Sequence, residues 1–192
     1  MVFISIRPLP AKKIILALTT LICLSSVSCF AQSFYFTVKS TPYDRQMNRI
    51  HSVLSLRPTA HSRDLSLAMV NQWIGDLRDI PYGFSPEWKT PSEVETEPVA
   101  DCKGKAVALY EKMQANGAEN VRLVVGRRTT WSRRTHAWLE WATSTGTYVL
   151  DPTFNWAACR ADHFRNRAYF PLYAYSGNLK FRAATASLVA VN

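Results

Sequence analysis

Between Ile80 and Ala100 the chain carries Pro81, Gly83, Pro86, Pro91 and Pro98. No long helix or strand persists at that spacing, because each proline fixes φ and removes a backbone donor. The segment must run as a loop that wraps something, and Trp88 in its middle needs a groove or a core edge to receive its ring. Upstream, Leu67, Val70, Trp73, Ile74 and Leu77 recur at helical spacing from Arg63 to Asp79, with Ser62 available as the N-cap. Downstream, Asp101 stands as an N-cap before Cys102-Lys103-Gly104-Lys105. Ala106, Leu109, Tyr110 and Met113 then form one helical face, which Gly117 closes from the C′ position.

After this second helix the periodicity changes to that of strands, over Val121 to Gly126, Thr135 to Ala142 and Thr147 to Leu150. Thr143-Ser144-Thr145-Gly146 reads as the hairpin turn between the last two. Helices followed by antiparallel strands predict an α+β domain with N-terminal helices packed on an antiparallel sheet. The 192 residues, 47% hydrophobic and 19% charged, suit one domain with one core. No repeat, low-complexity tract or second domain is visible.

The N-terminus is a separate object. Arg7, Lys12 and Lys13 precede the apolar run Ile14 to Leu24, which is followed by small and polar residues and then Cys29-Phe30-Ala31. That layout predicts a secretory signal over residues 1–31, cleaved near Ala31. The apolar run falls short of the ~20 residues that span a bilayer, so no transmembrane segment is expected in the mature chain. Lipidation at Cys29 is an alternative, although Ser26 stands where such signals carry an aliphatic residue. Residues 32–62 then form an N-terminal arm, irregular or holding a short helix on the core, and residues 63–192 the main domain. The expected location is periplasmic or secreted.

The formal charge of +9 stays positive once the signal is removed. Basic balance suits acidic partners such as anionic cell-wall polymers, but the Lys and Arg residues are scattered and fit a solvated surface equally well. Arg127, Arg128, Arg133 and Arg134 are the densest group, which does not amount to a nucleic-acid site. His51, His61 and His163 have no Cys or acid at metal-ligand spacing, so no zinc site and no cofactor are expected.

Cys102 and Cys159 remain after cleavage, and in an oxidising compartment such a pair can form one disulfide. The position of Cys102 points elsewhere. At the start of a helix, free N–H groups and the macrodipole stabilise a thiolate, and Lys103 and Lys105 are expected to act in the same sense. His136 opens the strand that continues Ala137-Trp138-Leu139, and Asp151 ends the next strand of the same hairpin, so a short turn brings the two together. A nucleophilic thiol needs a base within hydrogen-bond reach, and the base needs a partner on its other ring nitrogen. Cys102, His136 and Asp151 are thus the candidate nucleophile, base and orienting acid.

In this order the three residues resemble the transglutaminase-like superfamily, and within it the exported bacterial transglutaminase-like cysteine proteinases. The resemblance rests on Asp101-Cys102, on Thr135-His136-Ala137-Trp138-Leu139 and on Val149-Leu150-Asp151-Pro152-Thr153. Trp88-Lys89-Thr90-Pro91 with Glu93 is similar to the loop before the family's cysteine, and Val70-Asn71 to its first core helix. The likeness covers about Leu65 to Tyr175. It implies a papain-like, transglutaminase-like core and a thiol hydrolase that cleaves peptide amides through a thioester, acting on a protein or peptide substrate that could be associated with the cell surface or wall. It also implies that Asn71 or Trp88 contributes to the oxyanion hole or the substrate groove.

Ala100 replaces the family's usual Gly. Lys103 stands where calcium-dependent relatives carry an acid, which argues against a calcium site there. Two alternatives stay open: transglutaminase-type acyl transfer, and a non-catalytic binding module with a Cys102–Cys159 disulfide. In the latter, Phe154, Trp156, Tyr169, Phe170, Tyr173 and Tyr175 are candidate contacts.

Overall fold

The structure, a computed structural model, describes residues 34–58, 65–164 and 167–184. The expected signal, His61, and the Ser62 and Arg63 expected to begin the first helix all lie outside these residues.

Seven strands form one antiparallel sheet in the order β1-β7-β6-β2-β3-β4-β5. They are β1 (Tyr35–Thr37), β2 (Val121–Arg127), β3 (His136–Thr143), β4 (Gly146–Leu150), β5 (Cys159–Arg160), β6 (Phe170–Ser176) and β7 (Leu179–Ala183). The helices are α1 (Asp44–Arg49), α2 (His51–Leu54), α3 (Leu67–Asp79), α4 (Pro91–Thr96) and α5 (Cys102–Ala115). Among the described residues no helix is long and apolar enough to cross a membrane. The expected α+β architecture is present.

The period-two alternation of the central strands sorts their side chains into two layers. Leu123 and Val125 of β2 and Ala137, Leu139 and Trp141 of β3 join Val70, Ile74, Ala106, Leu109 and Met113 in the main core. Val124 and Trp138, offset by one residue, meet Val149, Tyr169 and Ala174 in a smaller cluster. Burial of a large apolar side chain of this kind is worth about 1.5–3 kcal/mol.

Helix α3 starts at Leu67, later than the Arg63 expected, and its cap is Ser66, which accepts from the Met69 N–H at 3.2 Å. Helix α5 begins and ends as its sequence predicts. Asp101 accepts from the N–H groups of Lys103 and Gly104. At the other end Gly117, at φ +81°, lets Ala118 N–H reach the Met113 carbonyl at 2.9 Å.

The proline-rich segment is a loop except for α4. Pro91 occupies the first turn of that helix, where a missing N–H costs nothing. Thr90 and Glu93 form a capping box that is legible in the sequence as Thr-x-x-Glu. The loop is fastened by cations. Arg49 donates to the Trp88 carbonyl at 2.9 Å and pairs with Glu93 at 2.5 Å. Lys89 donates to the Val99 carbonyl at 2.8 Å and pairs with Glu97 at 2.5 Å.

The stretch expected as an N-terminal arm supplies β1, paired with β7, and buries Met47, Ile50, Val53 and Leu54 through α1 and α2. Gly126 stands opposite His136 in the β2–β3 register, at a β2–β6 irregularity. A Cβ there would overlap the Phe170 carbonyl oxygen and the Trp138 ring, so glycine is what lets β6 and Trp138 close beneath the histidine.

Candidate active site

Cys102 is the first residue of α5, and its residue as a whole is buried to 8% exposure. The four N–H groups of a helix's first turn have no intrahelical acceptor. Here those of Lys103 and Gly104 go to the Asp101 carboxylate at 3.0 and 3.2 Å, and the Lys105 N–H makes the first regular helical bond, to the Asp101 carbonyl at 3.0 Å. The Cys102 N–H is the first-turn donor left without an acceptor among the described residues.

His136 opens β3, and its Nε2 lies 2.8 Å from Oδ2 of Asp151. Cys102 and His136 line the same cleft, and the Cys102 side chain is among the groups that raise the histidine's pKa. Trp138 stacks on the imidazole with ring centroids 6.0 Å apart, and Phe154 meets it edge-on at 5.1 Å. Burial pulls the histidine's pKa down. Hydrogen bonds to Asp151 and Cys102, together with their charges, outweigh burial and raise it to about 9.

Asp151 is fully buried. Burial alone would raise its pKa, but the His136 bond and charge, the Thr153 N–H and the Tyr169 hydroxyl together lower it. Thr153 N–H donates to Oδ1 at 2.9 Å, and the Tyr169 hydroxyl donates to Oδ2 at 2.8 Å. Tyr169 was expected among surface contacts or core aromatics. It is instead the acid's own donor, held at φ +59° with its N–H on the Arg128 carbonyl at 2.8 Å. Nothing in the local sequence marks it, because the link spans two separate loops.

Cys102 and His136 line a cleft of about 1000 Å³ that also includes Tyr82, Phe84, Trp88, Arg128 and Phe154. Trp88 is in the cleft wall, 4% exposed. Asn71 is not among the lining residues, and its carboxamide oxygen accepts from Ala158 N–H at 2.8 Å. The two lysines expected beside the thiol are engaged elsewhere. Lys103 Nζ pairs with Asp101 and donates to the Ser85 carbonyl at 2.8 Å. Lys105, its pKa lowered by burial and by the Arg78 charge, donates to the Ile80 carbonyl at 2.6 Å, at the end of α3.

Cys159 and Cys102 are both free thiols. The disulfide of the binding-module alternative is not formed, and Cys159 donates instead to the Ala157 carbonyl. His163 is largely exposed, with Nε2 3.9 Å from Oδ1 of Asp162.

A helix that starts at a cysteine and packs on an antiparallel sheet carrying His and Asp on neighbouring strands is the papain-like, transglutaminase-like core. Solved structures of LapG from Legionella pneumophila share it. The EGTA-treated form is 15% identical with a TM-score of 0.54, over 76% of this chain and 80% of that one. The calcium-bound form is 14% identical with a TM-score of 0.53, over 78% and 86%. A third LapG structure gives 15% and 0.53, over 78% and 84%. No protein-family model matches the chain, and no curated protein does.

Proposed function

We propose that this protein is an exported thiol peptidase in which Cys102, His136 and Asp151 act as nucleophile, base and orienting acid. The observation that carries the reading is His136 itself, bonded to a buried aspartate and sharing an open cleft with a helix-start cysteine. A histidine titrating at about 9 is protonated at neutral pH and carries the proton that a departing amine needs.

In the proposed reaction the Cys102 sulfur attacks the amide carbonyl carbon, and the C–O π electrons move onto oxygen. The Cys102 N–H, free of other acceptors, is the first donor to that oxyanion. Of the two residues the family resemblance suggested, Trp88 lies in the cleft wall and suits substrate contact, whereas Asn71 serves the Ala158 backbone. Collapse of the intermediate breaks the C–N bond, and His136 gives its proton to the departing amine. Water, deprotonated by His136, then resolves the thioester. Asp151, held by Thr153 and Tyr169, keeps the imidazole in register throughout.

Hydrolysis rather than transamidation fits the open rim, where Tyr82 and Phe84 are 58% and 70% exposed and water reaches the thioester freely. Residues 1–31 would direct export and be removed.

One related structure is described as calcium-bound. At the start of α5, an ammonium group already occupies Asp101 and the Ser85 carbonyl. These residues do not suit a divalent cation, and the proposed mechanism uses none.

The test is incubation of the exported protein with a peptide library and a fluorescent primary amine. New peptide termini that disappear in Cys102→Ala support a peptidase. Amine incorporation in place of new termini would turn the reading to transamidation, and neither product would refute both.

A further inference from the structure

The cleft around Cys102 is strongly one-sided in charge. Its lining carries Lys103, Arg128, Arg133 and Arg134 against one carboxylate, Asp101, and that carboxylate is already paired with Lys103. Three guanidinium groups remain, and none forms an ion pair among the described residues.

All three arginines come from the β2–β3 connection, whose turn is closed by Ser132 N–H to the Thr129 carbonyl at 3.1 Å and by their two hydroxyls 2.8 Å apart. Arg128 is the most constrained. Its Cζ lies 4.3 Å from the Phe154 ring centroid, and its charge acts on the Tyr169 hydroxyl. Its Nε is buried without a partner. Arg133 and Arg134 are exposed, and the Arg134 charge acts on Tyr82, which also feels Cys102 and Asp101.

A guanidinium fixed over a ring at a cleft wall, with no carboxylate in ion-pair range among the described residues, is open to one from a ligand. Its planar fork matches a carboxylate. Positive charge along a walled cleft also concentrates anionic ligands. Resting on the peptidase reading above, we infer that the site selects acidic peptides. Arg128 recognises a Glu or Asp side chain close to the scissile bond, and Arg133 and Arg134 hold flanking carboxylates. The rings of Phe84, Trp88 and Phe154 supply the apolar surface between.

The experiment measures binding apart from catalysis. Fluorescein-labelled peptides of one length, carrying Glu, Gln or Lys at alternate positions, are titrated by anisotropy into the full-length Cys102→Ala protein. The Glu peptide should bind about tenfold more tightly than the Gln peptide, and more tightly still than the Lys peptide. The advantage should shrink as salt is raised toward 1 M. Arg128→Gln should remove most of it. The Arg133→Gln/Arg134→Gln double variant, changed only at exposed positions, should remove part, which keeps the test independent of how Arg128→Gln folds.

Equal Kd values for Glu and Gln peptides, or a Glu preference untouched in both variants, would overturn the inference. Hydrolysis of the same peptides by the unmodified protein separates the two claims. Charge-selective binding without cleavage removes the peptidase reading and leaves the acidic selectivity standing. Cleavage of Glu and Gln peptides at equal kcat/KM does the reverse.

Discussion

Nε2 of His136 lies 2.8 Å from Oδ2 of Asp151, and that carboxylate takes a second hydrogen bond, also 2.8 Å, from the Tyr169 hydroxyl. The imidazole is therefore positioned from three parts of the chain: the start of β3, the residue after β4 and the residue before β6.

Removing members of this unit should have unequal effects. Cys102→Ala and His136→Ala should abolish peptide cleavage with the fold intact. Asp151→Asn should retain roughly 10²-fold more activity than either, because the acid orients the base without joining in bond making. Cleavage rates and thermal melts on all three variants check this. Full activity in His136→Ala would require another base, of which exposed His163 is the one to test.

Tyr169→Phe removes one donor to a buried carboxylate and leaves the ring packing on Trp138 and Phe164 in place. Stability should fall by about 1–3 kcal/mol. kcat should fall with little change in KM, since the substrate is not touched. Denaturant melts and steady-state kinetics separate the two effects.

The pH dependence follows from the signs of the two shifts. His136 is raised from 6.5 to about 9, so its contribution to stability is complete below about pH 6.5 and is lost as pH rises through 9. Asp151 is lowered from 3.8, so its contribution is present above about pH 4 and is lost as pH falls further. Melting temperature should therefore decline toward pH 10, and peptide cleavage should fall with it as the leaving amine loses its proton donor. Replacing His136 by Gln should flatten the alkaline decline in melting temperature.

The fold class and the pairing of His136 with Asp151 were readable because their signals are local. An N-cap aspartate, a cysteine at the first helical position and the hairpin turn Thr143 to Gly146 each announce themselves within a few residues. Helix α4 was equally local, but the capping box of Thr90 and Glu93 was masked by counting Pro91 as a breaker when it sits where proline is tolerated. The other misses are long-range. The strands β6 and β7, the link from Tyr169 to Asp151, and the capture of Lys103 by Asp101 and Ser85 depend on segments brought together only by the fold. Sequence proximity suggested that Lys103 and Lys105 would serve the thiol, yet unpaired backbone carbonyls and a buried carboxylate are the stronger attractors for a desolvated ammonium.

Calcium should leave the protein unmoved. Lys103 already holds Asp101 and the Ser85 carbonyl, so melts in calcium and in chelator should coincide. A calcium-dependent rise in melting temperature, which linkage demands of an ion that prefers the native state, would mean that a cation site exists elsewhere in the chain.

Competitive alkylation tests the central claim most directly, because Cys159 serves as a control thiol within the same molecule. Its pKa is raised by burial and it has no basic partner. Limiting iodoacetamide at mildly acidic pH, followed by peptide mapping, should modify Cys102 well ahead of Cys159 in the native protein, and the lead should collapse in His136→Ala. Equal modification of the two thiols in the native protein, or a Cys102 lead unchanged without His136, would contradict the account.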